Sequence, residues 1–285
     1  MPTRRRFLQW AGAGAAASLA AGQSFAAETA TSGSPTPKAS VGKRTFELGL
    51  ASYSVHKFPL DQALAMAKCV GLKHICLNPI HVPVESKPAQ IADALAKVRA
   101  AGLDWYGSGV VDMREPKQIQ QAFEFAKAAG LKVLVSLPSP DVLPLVSEKV
   151  KQYDIRVAIH NHGPGDPLFP TPDIAYAKIK SLDPRVGLCI DIGHTLRNGV
   201  DPSAAAEQFA DRLFDVHLKD INVAAADGHG VEVGRGVLDI PKFLRTLDKI
   251  HYSGMASFEY EKAPDDPLAG LAESVGYVRG VLAVI

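Results

Sequence analysis

From Thr45 onward, short apolar runs alternate with longer stretches whose apolar residues recur at helical spacing. The runs are Phe46–Ala51, His74–Leu77, Trp105–Val111, Lys132–Leu137, Ile155–His160, Val186–Asp191, Leu213–Leu218 and Met255–Tyr260. The helical stretches include Leu60–Val70, Ile91–Ala101, Ile119–Ala129, Ile174–Ile179 and Phe243–Ile250. Glycine follows three of them, at Val70-Gly71, Ala101-Gly102 and Ala129-Gly130, where a helix must stop before the next strand. Eight strand–helix units in one chain predict an α/β fold, a (β/α)8 TIM barrel. A doubly wound open sheet would need a glycine-rich phosphate loop after the first strand. The residues there are Ser52-Tyr53-Ser54-Val55-His56.

Strand alternation sharpens the picture. In a barrel strand, successive residues face the helices and the interior in turn. Ile155, Val157 and Ile159 form one face of the fifth run, with Arg156, Ala158 and His160 opposite. The sixth opposes Val186, Leu188 and Ile190 to Gly187, Cys189 and Asp191. The seventh opposes Phe214, Val216 and Leu218 to Leu213, Asp215 and His217. The eighth opposes Ala256, Phe258 and Tyr260 to Met255, Ser257 and Glu259. With the bulky face on the helices, His160, Asp191, His217 and Glu259 all point inward at the C-terminal mouth, where barrel active sites lie. Two imidazoles and two carboxylates suit one divalent transition metal, with Mn, Co or Zn favoured over the oxygen-loving Mg and Ca. Taken singly, each of the four reads as a strand-end residue satisfying a local hydrogen bond; their common register argues for a site.

The first residues read as an address. Arg4-Arg5-Arg6-Phe7-Leu8 leads an Ala/Gly-rich stretch that ends in Ser24-Phe25-Ala26-Ala27, the pattern of a twin-arginine-type signal peptide over residues 1–27. Residues 28–44 are rich in Ser, Thr, Pro and Gly and read as a flexible linker, leaving 45–285 as one catalytic domain. The expected location is the periplasm, with no membrane attachment after cleavage. The full chain carries a net charge of +1, and removing residues 1–27 takes away three arginines and no acids, leaving −2. No field of one sign favours nucleic acid. With 47% hydrophobic and 21% charged residues the chain is not disordered. Its cysteines, Cys69, Cys76 and Cys189, are too few for a disulfide framework and read as small core residues.

Four segments resemble the sugar phosphate isomerase/epimerase family with the xylose isomerase-like barrel: Cys189-Ile190-Asp191-Ile192-Gly193-His194, Val216-His217-Leu218-Lys219-Asp220, Gly234-Arg235-Gly236 and Ser257-Phe258-Glu259-Tyr260. The resemblance covers nearly the whole mature chain. It implies one divalent metal held by a Glu, an Asp, a His and a Glu from successive strand ends. Asp191, His217 and Glu259 match the last three. It also implies substrate contacts at His194 and Arg235. The first ligand departs from the family: where Ile-Glu-Asn-His is usual, this chain has Ile159-His160-Asn161-His162. One carboxylate of the family's symmetric acid/base pair is therefore missing: either His160 takes over both the ligand and the acid/base role, or the reaction no longer needs two symmetric carboxylates.

The implied reaction removes a proton next to a carbonyl, through an enediolate that the metal stabilises. Glu259 is the expected general base, with His160 or His162 as its partner acid. Reprotonation gives isomerisation or epimerisation, and loss of a neighbouring group gives a lyase. Sugar phosphates are mainly intracellular, so export points to an unphosphorylated carbohydrate. Isomerase/epimerase chemistry leads, with 3-keto-glycoside β-elimination second and a non-catalytic sugar-binding protein third. A multi-metal DNA-repair endonuclease would need more ligands and a basic groove. A serine hydrolase would need a Gly-x-Ser-x-Gly elbow, which the chain lacks.

Further residues are placed to line the mouth. Lys219 shares the parity of His217 and is expected to face the mouth, to hold a substrate oxygen or to pair with an acid. His56, Lys57 and His81 follow the first two strands, and Asp112 and Arg114 the third. Each reads equally as a solvated loop residue. His162 opens a Gly/Pro-rich loop that can cover the site. His229 and Glu232 lie in the glycine-rich segment Asp227–Gly236, read as a mobile substrate loop, and Glu261 sits just past Glu259.

Overall fold

A computed structural model describes residues 44–285. The expected signal peptide and nearly all of the expected linker lie outside the described residues. The barrel strands and their following helices run β1 (Glu47–Ala51), α1 (Leu60–Cys69), β2 (His74–Leu77), α2 (Pro88–Ala100), β3 (Asp104–Met113), α3 (Pro116–Ala129), β4 (Val133–Pro138), α4 (Leu143–Tyr153), β5 (Arg156–His160), α5 (Pro172–Ile179) and β6 (Val186–Asp191). Two short helices follow, α6 (Ile192–Arg197) and α7 (Pro202–Gln208), then β7 (Leu213–Leu218). A hairpin of β8 (Asp220–Ile221) and β9 (Gly230–Val231) precedes α8 (Ile240–Lys249), β10 (Met255–Phe258) and α9 (Leu268–Leu282). The eight long strands are all parallel and close in the order β1-β10-β7-β6-β5-β4-β3-β2. The barrel is the architecture that the alternating pattern predicts.

Helix boundaries have local causes. α8 begins where the Asp239 carboxylate accepts the Lys242 N–H at 2.9 Å, and it buries Ile240, Phe243, Leu244 and Leu247 on one stripe. α3 ends at Gly130, whose left-handed φ of 71° lets its N–H return to the Ala126 and Lys127 carbonyls. The main core lies between strands and helices, with Phe123, Ile119, Leu134, Ile159 and Phe258 fully buried. Each such side chain contributes about 1.5–3 kcal/mol through burial.

The barrel interior is a separate, smaller layer of Cys76, Tyr106, Val133, Val135, Ala158 and Cys189. It forms a floor beneath the C-terminal mouth. One expectation is corrected: Cys76 and Cys189 are buried in this floor, but Cys69, near the end of α1, is exposed. Among the described residues no helix is long and apolar enough to cross a membrane.

Candidate metal centre and substrate cavity

Asp191 is built for two tasks. It ends β6 and caps α6, its Oδ1 accepting the His194 N–H at 2.8 Å. That leaves Oδ2 facing the mouth. The backbone around it is pinned from two sides: Asn161 Oδ1 accepts the Asp191 N–H at 3.1 Å, and Thr195 Oγ1 donates to the Asp191 carbonyl at 2.6 Å. Gly193 lets α6 approach β7, because a Cβ there would stand 2.7 Å from the Lys219 carbonyl. The Asp-Ile-Gly-His segment is thus a cap, a close contact and a side chain delivered to the mouth.

The four strand-end residues converge. His160 Nε2 lies 3.0 Å from His217 Nδ1, and His217 Nδ1 lies 3.1 Å from Glu259 Oε2. His160 Nε2 is 3.7 Å from both Asp191 Oδ2 and Glu259 Oε2. All four are buried, with one ligand atom from each within 4.8 Å of the others. Ligands about 2.0–2.2 Å from a central ion stand about 2.9–3.6 Å apart, so these separations fit a coordination shell. Asp191 Oδ2 is buried and receives no hydrogen bond. A buried carboxylate oxygen without a hydrogen bond, beside two convergent imidazole nitrogens, belongs to a donor set whose two nitrogens and two oxygens suit Mn, Co or Zn. The residues present therefore fit a divalent metal.

Lys219 stands at the rim of this cluster. Its Nζ is 3.1 Å from Glu259 Oε2, 3.3 Å from Asp191 Oδ2, 3.0 Å from Glu261 Oε2 and 3.1 Å from His194 Nε2. One ammonium thus faces three carboxyl groups, an excess of acid that a divalent ion would balance. The titration behaviour follows. Burial pushes Asp191 up to about 7, despite Lys219. Burial opposes the charge on Glu259 too, but Lys219 and His217 hold it well below the usual carboxylate range. Burial disfavours the Lys219 ammonium, yet Asp191, Glu259 and Glu261 keep it well above its ordinary value. Burial would lower His217, but Glu259 raises it. Burial lowers His160 to about 3 and lowers His162 and His194 as well, so all three imidazoles are neutral near pH 7.

A cavity of about 370 Å³ opens above the cluster. His160, His162, His194, Lys219, Glu259 and Glu261 form one wall, and Tyr53, Asn78, Val110, Asp112 and Leu137 form the other. His162 is partly exposed here, with Asp166 Oδ2 3.3 Å from its Nδ1. Asp166 is itself fixed, its Oδ1 accepting the N–H groups of Leu168 and Phe169 at 2.7 and 3.1 Å.

The structure therefore brings His160, His162, Asp191, His194, His217, Lys219, Glu259, Glu261 and Asp112 to the mouth. It does not bring the others. Arg235 is exposed and pairs with Glu273 on α9, away from the cavity. The reason lies in the Gly-Arg-Gly turn: Asp220 Oδ2 accepts the N–H groups of Gly234 and Gly236 at 2.9 and 3.0 Å, which turns the intervening side chain outward. His56 stacks on Tyr53 with ring centroids 4.6 Å apart and lies 2.7 Å from the Tyr53 carbonyl, so Tyr53 holds the cavity position in its place. Lys57 pairs with Asp265, His81 contacts Ser52 Oγ, and Arg114 pairs with Asp112. Glu232 is held by Lys262 and Tyr260, and burial does not prevent Lys262 from drawing it down to about 2. His229 lines a neighbouring cleft. Tyr53, Asn78 and Asp166 escape sequence reasoning, although the i, i+4 spacing of His162 and Asp166 is a readable signal. Asp215, two residues before His217 on the same strand face, is fully buried and pushed up to about 7 by that burial.

Known proteins share this framework. Rhizopine catabolism protein MocC of Rhizobium meliloti is 27% identical over 135 residues, 42% of this chain and 41% of that protein. Inosose dehydratase of Clostridium beijerinckii is 26% identical over 121 residues, 37% of this chain and 41% of that enzyme. The matched region thus spans about two fifths of each of these curated relatives. Among solved structures, L-ribulose 3-epimerase superposes with a TM-score of 0.69 at 15% identity, covering 84% of this chain and 95% of that one. The IOLI protein with a bound zinc atom superposes with a TM-score of 0.70 at 17% identity, covering 84% and 98%. At these identities the structures establish the fold. The model of one family matches residues 113–281, a span that contains all four convergent strand-end residues. By that match the chain belongs to the xylose isomerase-like TIM barrel family.

Proposed function

We propose that the protein is a metal-dependent enzyme that removes a proton from the carbon beside a carbonyl of an unphosphorylated sugar. The observation that carries this reading is the convergence of His160, Asp191, His217 and Glu259 beneath a sugar-sized cavity in this family's barrel. A divalent ion held there would supply Lewis-acid stabilisation of negative charge on a substrate oxygen. The epimerase and dehydratase among the similar proteins support the same first step, since both reaction classes can start from proton loss beside a carbonyl.

The chain's own residues divide the work. His162 is the best base: it is neutral, partly exposed, and has Asp166 beside Nδ1, which leaves Nε2 to accept a proton. Glu259, the base expected from sequence, is engaged through Oε2 with His217 and Lys219, which weakens its basicity. His160 is neutral and buried, which suits a ligand and not a proton-donating acid. Lys219 and His194 present polar edges that orient substrate hydroxyls. The Lys219 charge is already shared among three carboxylates, so the chamber offers a phosphate group no free cation. Export through residues 1–27 belongs to the same reading, and cell fractionation tests it.

The imidazoles stand on one wall only. The facing wall holds no second imidazole, and its one carboxylate, Asp112, pairs with Arg114 at 3.2 Å. A single base serves isomerisation, and it equally serves β-elimination; two-base epimerisation needs a partner across the ring. The isomerase-type reading leads. Elimination from a 3-keto-glycoside is the second, supported by an adjoining cleft with room for a leaving group. Proton NMR in D₂O of metal-loaded protein with a 3-keto-glucoside separates them, with Glu259→Gln as control. Deuterium beside the carbonyl with the glycosidic bond intact supports isomerase-type enolisation. Released aglycone with an unsaturated sugar supports the lyase. Bound ligand with neither change, repeated across free ketoses, would instead indicate a sugar-binding protein.

A further inference from the structure

A second chamber adjoins the first. It also measures about 370 Å³, and His194, Lys219 and Glu261 line both. Its outer wall is the β8–β9 hairpin, through Ile221, Gly228, His229 and Gly230, and its far end holds Arg197 and Lys262. The cations here are not equivalent. Lys219 serves the carboxylate cluster. Lys262 is neutralised by Glu232, with Nζ 2.8 Å from Oε2. Arg197 has only neutral partners: its guanidinium donates to the Ala226 carbonyl at 2.6 Å and faces His194 Nδ1 at 3.2 Å. Its Nε makes no hydrogen bond at all. Among the described residues no carboxylate pairs with Arg197, and Glu261, the carboxylate lining the same cleft, is engaged by Lys219.

We propose that this cleft is a subsite for a carboxylate-bearing substituent of the substrate, such as a uronic acid joined to the reacting sugar. The inference rests on the sugar reading of the main chamber and deepens it. Geometry favours a two-part ligand, because a molecule reaching from the His162 wall past His194 enters the second chamber directly. Charge favours a monoanion, because one guanidinium balances one carboxylate and leaves a phosphate dianion half-compensated. Guanidinium groups also match planar carboxylates in shape, and each terminal nitrogen of Arg197 keeps one N–H beyond its contact with His194 or Ala226.

The test follows the Arg197 Nε–H signal by ¹H–¹⁵N NMR in metal-loaded protein, assigned by its loss in Arg197→Gln. Glucuronate, glucose and glucose 6-phosphate are titrated in turn. Glucuronate is expected to shift the signal and to bind at least ten-fold more tightly than glucose. Arg197→Gln should bring the two within two-fold. An unmoved Arg197 signal with glucuronate overturns the subsite, as does a glucuronate preference that survives Arg197→Gln. Tighter binding of glucose 6-phosphate overturns both the carboxylate assignment and the unphosphorylated-sugar reading. If glucuronate moves Arg197 while no sugar perturbs the His162 or His194 ring signals, the subsite stands and the sugar reading of the main chamber fails.

Discussion

Asp220 organises the segment between β7 and α8, and its replacement by asparagine gives a sharp energetic expectation. The side chain is fully buried and accepts four backbone N–H groups: Ile221 at 2.9 Å and Leu238 at 3.2 Å through Oδ1, and Gly234 at 2.9 Å and Gly236 at 3.0 Å through Oδ2. In Asp220→Asn one oxygen becomes an NH₂. Whichever way the amide turns, two buried N–H donors then face a donor. Each unsatisfied group costs about 1–3 kcal/mol, so the substitution should destabilise the protein by about 2–6 kcal/mol. For a domain of this size that lowers Tm by about 5–15 °C. Differential scanning calorimetry reads the first quantity, and hydrogen exchange at Gly234 and Gly236 reads the local loss. Gly236→Ala should act on the same cradle, because its Cβ would collide with the Asp220 carboxylate and the Ile221 carbonyl. A Tm change below about 2 °C in Asp220→Asn, with exchange at both glycines unaltered, would refute the reasoning.

Other expectations follow from the site and its frame. Protein stripped with a chelator should gain stability from Mn, Co or Zn: about 2.7 kcal/mol at a hundred-fold excess over Kd, a Tm rise of about 5–10 °C, which Asp191→Asn should abolish. The absence of a shift with all three ions would remove the metal from the reading. His162→Gln should lower kcat by about 10²–10⁴-fold. Because burial lowers the His162 pKa below its ordinary 6.5, wild-type activity should hold from neutral pH down into the acid range and fall only as the imidazole protonates. Asp166→Asn should move that limb lower still, since Asp166 favours the protonated ring; a kcat/KM profile with its limb above pH 6.5 contradicts this assignment. Asp183 is held down to about 2 by Arg185, with Oδ1 accepting from Nε at 2.8 Å. A lowered carboxylate stabilises the fold above its unfolded value near 3.9 and loses that contribution as pH falls through about 2. Asp183→Asn should therefore cost about 1–2 kcal/mol in urea unfolding at pH 7 and only a small fraction of that at pH 2.

The barrel is legible in the chain because each strand is short, apolar and closed by a turn. β6 and β7 begin and end where the hydrophobic runs do. The metal-site candidates are legible for the same reason, since alternation fixes which side chains share the interior. Helices are harder to see where glycine or proline interrupts the period. α9 carries Gly270, Gly276 and Gly280, and α4 opens on Leu143-Pro144. What alternation cannot reach is direction beyond a strand end. Arg235 sits in a loop whose course is set by Asp220, a residue fifteen positions earlier, so its outward turn is a tertiary effect. His56 is likewise withdrawn by a stacking contact with Tyr53 that no periodicity encodes. Asp166 belongs to a loop, and only the folded turn sets its carboxylate against His162.

The four candidate ligands come from β5, β6, β7 and the turn after β10, which are consecutive neighbours around the closed sheet. The remaining half of the barrel, β1 to β4, supplies the facing wall of the cavity through Tyr53, Asn78, Val110, Asp112 and Leu137. The candidate ligands and the side chains that face them across the cavity are therefore carried by different arcs of one ring. Substitutions at these wall positions, on β3, β4 and the segments just after β1 and β2, leave all four candidate ligands in place. A library randomised over those five wall positions, held against an intact ligand arc, would show whether the facing arc alone sets which molecule binds.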